Sequence, residues 1–466
     1  MVLMDPLLEQ QVKDLNRRRW IVWTPMAFAL LLSYFHRTAT GVMTDSLMRE
    51  FSITRAADIG GLASVYFYIY AAMQVPAGIL ADWFGPRRTA LLALITATLG
   101  AIVFSTAQNI PMLYIGRIIS SIGVGLIYIN VVKIHAEWFR NREFTTMTGL
   151  IVVVGSVGFL LATTPLALMV DWFGWRIAFS VITVYSLIVT IACWRWVKDR
   201  PADLGLPDIS VLEAEEGMAI KEAIKAETNK YAVIESLKTV MGNPATWWPF
   251  LASVTTYGVY MAFMGLWVAP YLMQIYGMSR VTASNYMMLM SIGTMLGAPL
   301  IGFISDRLAL RRLPNVVATV GFLVLWLILT LWNAGKPPVW VLYPLYFGIG
   351  LGMSGVNLNV PSGKEVTPPA MTGMVSGLVN SGSFIGAALM QPLFGWVLDH
   401  NWQGAVEHGI RVYPLAAYQN AFRLCAVVLG LGVLFTCLIK ETRGVNSCPV
   451  NRDGSNEGLV ITKGCE

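Results

Sequence analysis

Apolar stretches about as long as a bilayer is thick recur from one end of this 466-residue sequence to the other. A helix needs roughly 20 apolar residues to cross the hydrocarbon core. Twelve segments meet that demand: 20–42, 57–81, 86–107, 111–138, 144–168, 176–197, 244–275, 281–305, 314–332, 339–362, 371–398 and 415–440. Charged residues make up only 13% of the chain, against about a quarter in soluble proteins, and the mean hydropathy is +0.60. A membrane β-barrel is excluded, because barrel strands are short and alternate apolar with polar residues. Arg17, Arg18 and Arg19 ahead of the first apolar run resemble the start of a cleaved leader, but the run continues without a small-residue cleavage site, so it reads as the first membrane helix. The expected class is an all-α membrane protein.

Basic residues set the expected orientation. With the amino terminus in the cytosol, 23 of the 33 Lys and Arg fall in the tails and inward connections, seven in the outward ones and three within the membrane. This bias is the positive-inside rule, and it accounts for the net charge of +6 without nucleic acid as a partner. The expected location is the cell (inner) membrane, with both termini cytosolic and the bilayer as the main partner of a monomer. Residues 198–243 are the one long polar stretch and split the spans six and six. The domain plan is therefore a tail at 1–19, a bundle at 20–197, a linker at 198–243, a second bundle at 244–440 and a tail at 441–466. The linker reads as a solvated tether, part of which can form an amphipathic helix. Cys193, Cys425, Cys437, Cys448 and Cys465 show neither paired nor metal-ligand spacing, so no disulfide, metal or cofactor is expected.

The two halves repeat. "GILADWFGPRR" (78–88) and "GFISDRLALRR" (302–312) share Gly, Asp and two Arg at a displacement of 224. "TGLIVVVGSVG" (148–158) resembles "SGLVNSGSFIG" (376–386) at a displacement of 228, the same that relates Glu137 to Glu365. With these two loop copies and the six-plus-six split, the sequence resembles the major facilitator superfamily over nearly its whole length. The resemblance implies twelve transmembrane helices in two pseudo-symmetric six-helix bundles that rock about a midplane site, with inverted three-helix repeats nested in each half.

The repeated loop has the makings of a cytosolic gate. Gly78 admits close helix approach, Asp82 can face the positive amino end of a helix, and Arg87 and Arg88 can reach helix-end carbonyls or Glu137. Gly302, Asp306, Arg311, Arg312 and Glu365 are the second set. Arg87 and Arg88 also fit as positive-inside anchors, a reading that leaves the repeated Asp unexplained. The second copy carries Ala309 where the first has Gly85, which is expected to loosen that turn.

Two arginines lie too deep to be anchors. Arg37 is 17 residues beyond Trp20, about 26 Å along a helix, and Arg117 is six residues, about 9 Å, from Pro111 at the opposite edge. Both fall in the outer half at comparable depth, where an unpaired cation is costly, and two cations at one level point to an anion between them. "YFHRTATGVM" and "GRIISSIGVG" resemble the first- and fourth-helix motifs of the anion:cation symporter group, which implies that Arg37 and Arg117 hold an organic carboxylate. The acid that commonly precedes the first Arg is here His36, and Val124 stands where a fourth-helix carboxylate is expected. His36 can carry the coupling proton itself, or sit neutral and hydrogen-bonded. Asp45 is the reserve proton carrier, or the mark of the helix end. Lys133, about 24 Å from Arg117 and near the inner edge, is expected to snorkel or to pair with Glu137 one turn on, a structural role rather than direct binding. "VVKIHAEWF" also resembles organophosphate:phosphate antiporters, but the Arg and His that group commonly has in its seventh and fifth helices are missing.

Tyr66 and Tyr70 share a helical face with Gln74, and Tyr257 and Tyr260 share one with Trp267. Asn357, Asn380, Ser383 and Gln391 are polar within apolar segments, lining a path or bonding between helices. Tyr66, Tyr70, Tyr257, Tyr260, Asn357 and Asn380 join the two arginines as expected substrate contacts. The function expected is proton-linked transport of a small organic anion, a carboxylate or sugar acid, by alternating access. Phosphate-ester exchange, efflux, and a transporter-like receptor for a sensor kinase are the alternatives. An enzyme is disfavoured, since the chain has four His, no G-x-S-x-G and no metal-ligand spacing.

Overall fold

The computed structural model describes residues 6–140, 143–209, 233–368, 371–407, 409–444 and 446. Half of the linker and the end of the carboxy-terminal tail lie outside the described residues, so the tether reading of 210–232 is not addressed. The chain forms α1 (Pro6–Glu50), α2 (Ala56–Ser105), α3 (Ile110–Trp138), α4 (Phe144–Leu161), α5 (Thr164–Trp196), α6 (Val233–Gly242), α7 (Pro244–Ala262), α8 (Val268–Tyr276), α9 (Arg280–Leu308), α10 (Arg312–Leu331), α11 (Val339–Met353), α12 (Asn359–Glu365), α13 (Thr372–His400) and α14 (Leu415–Cys437). A hairpin of β1 (Val406–Glu407) and β2 (Ile410–Arg411), paired antiparallel, precedes α14. A π-turn at Phe263–Trp267 joins α7 to α8.

Local sequence explains the boundaries. The Asn109 side chain accepts from Met112 N–H at 2.9 Å, Asn243 accepts from Ala245 N–H at 3.0 Å, and Ser279 accepts from Thr282 N–H at 3.2 Å, each capping a spanning helix at its start. Gly277, left-handed at φ +64°, ends α8. Gly85 (φ 81°, ψ 159°) and Gly174 (φ 80°, ψ 161°) break α2 and α5 within two copies of the tetrapeptide DWFG, at 82–85 and 171–174. That conformation is open to glycine and essentially nothing else.

Ten helices among the described residues are long and apolar enough to cross a membrane. Twelve were expected, and both differences have a physical origin. The first helix, α1, whose apolar run carries His36 and Arg37, is not among the ten. Gly149–Trp196 counts once, yet its 48 residues would span about 72 Å as one helix, more than twice the hydrocarbon thickness. The break at Gly174 divides it into two crossings.

The chain divides into two compact units, one of residues 1–37 and 72–225, the other of residues 38–71 and 226–466. The second unit therefore includes the last turns of α1 and the first third of α2, beyond the 244–440 bundle expected from sequence. Glycines let backbones meet within each unit. In the first, a Cβ on Gly100, Gly116 or Gly123 would run into the backbone of Ser120, Phe104 or Ala97, which locks α3 against the second half of α2. In the second, Gly293 and Gly350 do the same between α9 and α11. The short α6 packs Val240 onto Met371, Val375 and Val379 at the start of α13.

Candidate functional site

The deep cations belong to the first unit, and helix register explains how they come together. The Ser33 hydroxyl donates to the Val124 carbonyl at 3.5 Å, and Trp23 stacks on His135 with ring centroids 5.9 Å apart while its indole N–H donates to His135 Nε2. These contacts set α1 against α3. From the Ser33–Val124 contact, Arg37 lies about 6 Å along α1 and Arg117 about 10 Å along the antiparallel α3 in the same direction, so the two share a level. His36, Arg37 and Arg117 are all buried, at 1%, 6% and 2% exposure.

Their surroundings are aromatic. The Arg37 guanidinium lies 4.2 Å from the centroid of Tyr34, a cation–π contact. Tyr34 in turn fits against Gly155, where a Cβ would collide with its ring, and against Gly158, where one would strike the Leu31 carbonyl and crowd the Tyr34 Cβ, and it meets Phe159 at 5.0 Å. Gly155 and Gly158 of "TGLIVVVGSVG" thus serve as the seat for the tyrosine under Arg37. Phe179 stands 5.5 Å from the His36 ring and 4.6 Å from Phe104. Both ring nitrogens of His36 are buried without a hydrogen-bond partner among the described residues. Ser120 and Ser121 donate to the Arg117 carbonyl at 3.1 and 2.6 Å, bracing the helix at the arginine.

Among the expected gate residues, Asp82 pairs with Lys133 rather than with a helix end, and Glu137 meets Arg200 at 3.7 Å. The Lys133–Glu137 pair expected one turn apart is therefore replaced by two pairs that cross between elements. Arg87 donates to the Trp194 carbonyl at 3.1 Å, as a helix-end contact, while Arg88 is exposed. A Cβ at Gly78 or Gly302 would meet no described atom within 4 Å, so close helix approach rests on other glycines in this conformation. In the second copy Arg311 reaches Asp306 at 2.6 Å and Glu365 at 3.0 Å, and Thr442 donates to Glu365. Glu441 accepts from the backbone N–H of Arg311 at 2.8 Å and of Arg312 at 2.9 Å. Asp199 does the same for Arg87 N–H at 2.8 Å. Sequence reading missed both acids, although each follows the last span of its half.

The remaining expected contacts fall in the second unit. Tyr66 and Tyr70 stack at 5.7 Å, and Phe384 meets Tyr70 at 4.2 Å and Tyr257 at 6.1 Å. Tyr260 is tied to Thr294 by a 2.8 Å hydrogen bond. Asn380 is half-buried, and Asn357 is exposed and turns back on the Ser354 carbonyl. The buried amide is instead Asn359, which accepts from Asn315 at 2.7 Å and donates to Ser253 at 2.9 Å. Asp45 forms an ion pair with Arg280 at 2.6 Å. Asp399 accepts from the N–H groups of Ala56 and Ala57 at 3.0 and 2.9 Å, from Tyr413 at 2.6 Å and from Arg411 at 3.2 Å. A Cβ on Gly41, Gly60 or Gly395 would strike the backbone of Gly265, of Pro392 and Gln391, or of Ala56. The last turns of α1 are thus held backbone to backbone against the π-turn between α7 and α8, and the start of α2 against α13. Among the described residues no group of three or more His, Cys, Asp or Glu is placed to hold a metal ion.

A sequence model of the Major Facilitator Superfamily matches residues 26–390. The chain belongs to the major facilitator superfamily. This superfamily member is an integral membrane transporter with many spans. It is 25% identical over 413 residues to a "Probable hexose phosphate transport protein" of Chlamydia trachomatis, a match covering 86% of this chain and 89% of the relative. It is 23% identical to the "Membrane sensor protein UhpC" of Salmonella typhimurium, over 87% of this chain and 92% of the relative. It is 21% identical to the "Cis,cis-muconate transport protein" of Acinetobacter baylyi, over 90% and 96%. Among solved structures, an inward-facing, unoccupied bacterial homologue of the human lysosomal transporter Spinster superposes with a TM-score of 0.71 at 15% identity, covering 92% of this chain and 97% of that one. This superposition shares the fold of the superfamily.

Proposed function

We propose that this superfamily member moves a small organic anion, a carboxylate or sugar acid, across the cell membrane by alternating access, coupled to protons. The observation that carries the reading is the burial of Arg37, Arg117 and His36 at one level of an apolar bundle. Two buried guanidinium groups favour a bidentate acidic ligand over a neutral one. The His36 ring, with both nitrogens lacking a hydrogen-bond partner among the described residues, offers a place for a proton or for a substrate hydroxyl. Relatives named for cis,cis-muconate and hexose phosphate are both named for organic anions.

The expected halves, 20–197 and 244–440, then act as the rocking bodies. The end at which Asp45 meets Arg280 and Asp399 caps α2 is the outer gate in this reading, and Asp45 serves that gate rather than the proton. The Asp82 and Arg311 networks lie on the cytosolic side with both termini. Phosphate-ester exchange is the second reading, favoured by the hexose phosphate relative. A sensor role is the third, favoured by the UhpC relative.

Proteoliposome uptake of labelled carboxylates, sugar acids and sugar phosphates, with and without an inward proton gradient, tests all three. Gradient-driven carboxylate uptake abolished by Arg37→Ala and by Arg117→Ala is the expected result. Uptake of sugar phosphate only against internal phosphate would favour exchange, binding without transport would favour a sensor, and uptake indifferent to both arginines would sink the anion clamp.

A further inference from the structure

Away from Arg37 and Arg117, the first unit carries an open-sided groove of ≈ 560 Å³, lined by Trp20, Ile21, Thr24, Pro25 and Phe28 of α1 and by Tyr185, Ile188, Val189, Ala192 and Trp196 of α5. That volume falls in the range of small-molecule sites, about 300–1,000 Å³. On α1 the lining residues form one stripe at helical spacing, and Arg17 continues it one turn beyond Trp20 and Ile21. Residues Ile188 and Ala192 on α5 belong to a similar stripe, which Arg195 extends at i+7 and i+3. Arg17, Arg18 and Arg195 are exposed at this end, and with Asp14 one turn further out the mouth keeps a net positive charge.

The opposite end is closed. The Tyr185 hydroxyl donates to the Phe28 carbonyl at 2.8 Å and the two rings meet edge to face at 6.5 Å, so the groove is blind there and open at its basic mouth. Small side chains at Thr24, Pro25 and Ala192 leave the depth between the blind end and the mouth. Trp20 and Trp196, exposed at 43% and 50%, flank the mouth and mark the headgroup level, where tryptophan prefers to sit. The lining is apolar, so its occupant is hydrocarbon, and the mouth is cationic, so the end of that hydrocarbon carries negative charge.

We propose that this groove binds an anionic phospholipid, with one acyl chain between α1 and α5 and the headgroup phosphate between Arg17 and Arg195. A zwitterionic lipid offers the same chain but places a cation beside the two arginines, and is disfavoured. None of the lining residues belongs to the anion clamp, so the proposal stands whether or not the clamp does.

The test is native mass spectrometry of the full-length protein, delipidated and then titrated with phosphatidylglycerol or with phosphatidylcholine of matched chains. The wild type is expected to hold one phosphatidylglycerol about tenfold more tightly than phosphatidylcholine, and Arg17→Gln with Arg195→Gln is expected to erase that preference. Ala192→Trp, which fills the groove, is expected to remove the site for both lipids. Because both arginines are exposed, their double variant keeps the test sound even where Ala192→Trp does not fold. Equal retention of the two lipids by the wild type, or a preference unchanged in the double variant, overturns the proposal.

Discussion

The two copies of the repeated loop fold alike but are wired differently, and the difference shows what each position has to supply. In both, an acid beyond the last span of the half accepts the backbone N–H of the first arginine of the pair, Asp199 for Arg87 and Glu441 for Arg311, each at 2.8 Å. In both, the turn needs a positive φ, but Gly85 sits at φ 81°, ψ 159°, whereas Ala309 sits at φ 50°, ψ 40°. The first conformation excludes a side chain, and a Cβ there would also press on the Asp199 carboxylate at 2.9 Å. The second is the ordinary left-handed region, which alanine enters at a cost of about 1–2 kcal/mol. The second copy can therefore lose its glycine and still turn, at that cost.

Charge partners differ as well. Arg311, at 17% side-chain exposure, gathers Asp306 and Glu365 into one network. In the first copy Arg87 turns to the Trp194 carbonyl instead, Asp82 is held by Lys133, and Glu137 is left to Arg200. In the second copy one arginine thus joins the loop's own Asp306 to Glu365 of α12, while in the first the loop's acid is held by Lys133 of α3, the helix that carries Arg117.

This contrast can be broken by substitution. Arg311→Met should be the most damaging, since it takes the cation from Glu365, itself only 13% exposed, and leaves the Thr442 hydroxyl as a weaker partner, at a cost of about 3 kcal/mol seen as a fall in melting temperature. A variant as stable as wild type would show that the network is not structural. Gly85→Ala should cost about 2–3 kcal/mol, and Ala309→Gly should gain about 1 kcal/mol. Equal responses at the two sites would refute the distinction drawn from their backbones.

The acid caps sharpen the comparison through pH. Burial pushes the Glu441 carboxyl up, but hydrogen bonds from the N–H groups of Arg311, Arg312, Arg443 and Leu313 outweigh it and hold the group below its ordinary 4.5. A depressed carboxyl stabilises the fold above its unfolded value and loses that contribution as pH falls through the folded one. Melting of the wild type should therefore decline below about pH 4.5, and Glu441→Gln should flatten part of that decline while lowering stability by about 1 kcal/mol at pH 7. An unaltered acid limb in the variant would assign the decline to other groups. The smallest effect on stability is expected at the Asp82–Lys133 pair, where Asp82 is 72% exposed and the pair contributes less than about 1 kcal/mol. Lys133→Met should leave the melting temperature nearly unchanged yet alter transport, and the swap Asp82→Lys with Lys133→Asp should restore it. If the swap fails while both single variants transport normally, the pair is only a surface contact.

Much of the architecture could be read in advance, because the bilayer imposes a length and a composition on each span that survive in any packing. The duplication was visible in the loop copies, and the deep arginines stood out by counting residues from the span ends. Legibility stopped where a side chain had to choose among distant partners. Lys133 had Glu137 one turn away and took Asp82 instead, and the amide that knits α7, α10 and α12 is Asn359 rather than Asn357. The repeated DWFG turn at 171–174 went unnoticed because its sequence signal is four residues long, and only its matching backbone angles identify it.

By itself, the chain determined that it lives in a membrane, that it is built twice over, and that two cations are set too deep to be anchors. Those are properties of local composition and spacing, and each follows from the cost of placing polar groups in hydrocarbon. Only the tertiary structure decided which charges meet. The partners of Asp82, Arg87 and Arg311 lie 51, 112 and 130 residues away, and helix register and close glycine contacts bring them within hydrogen-bond reach.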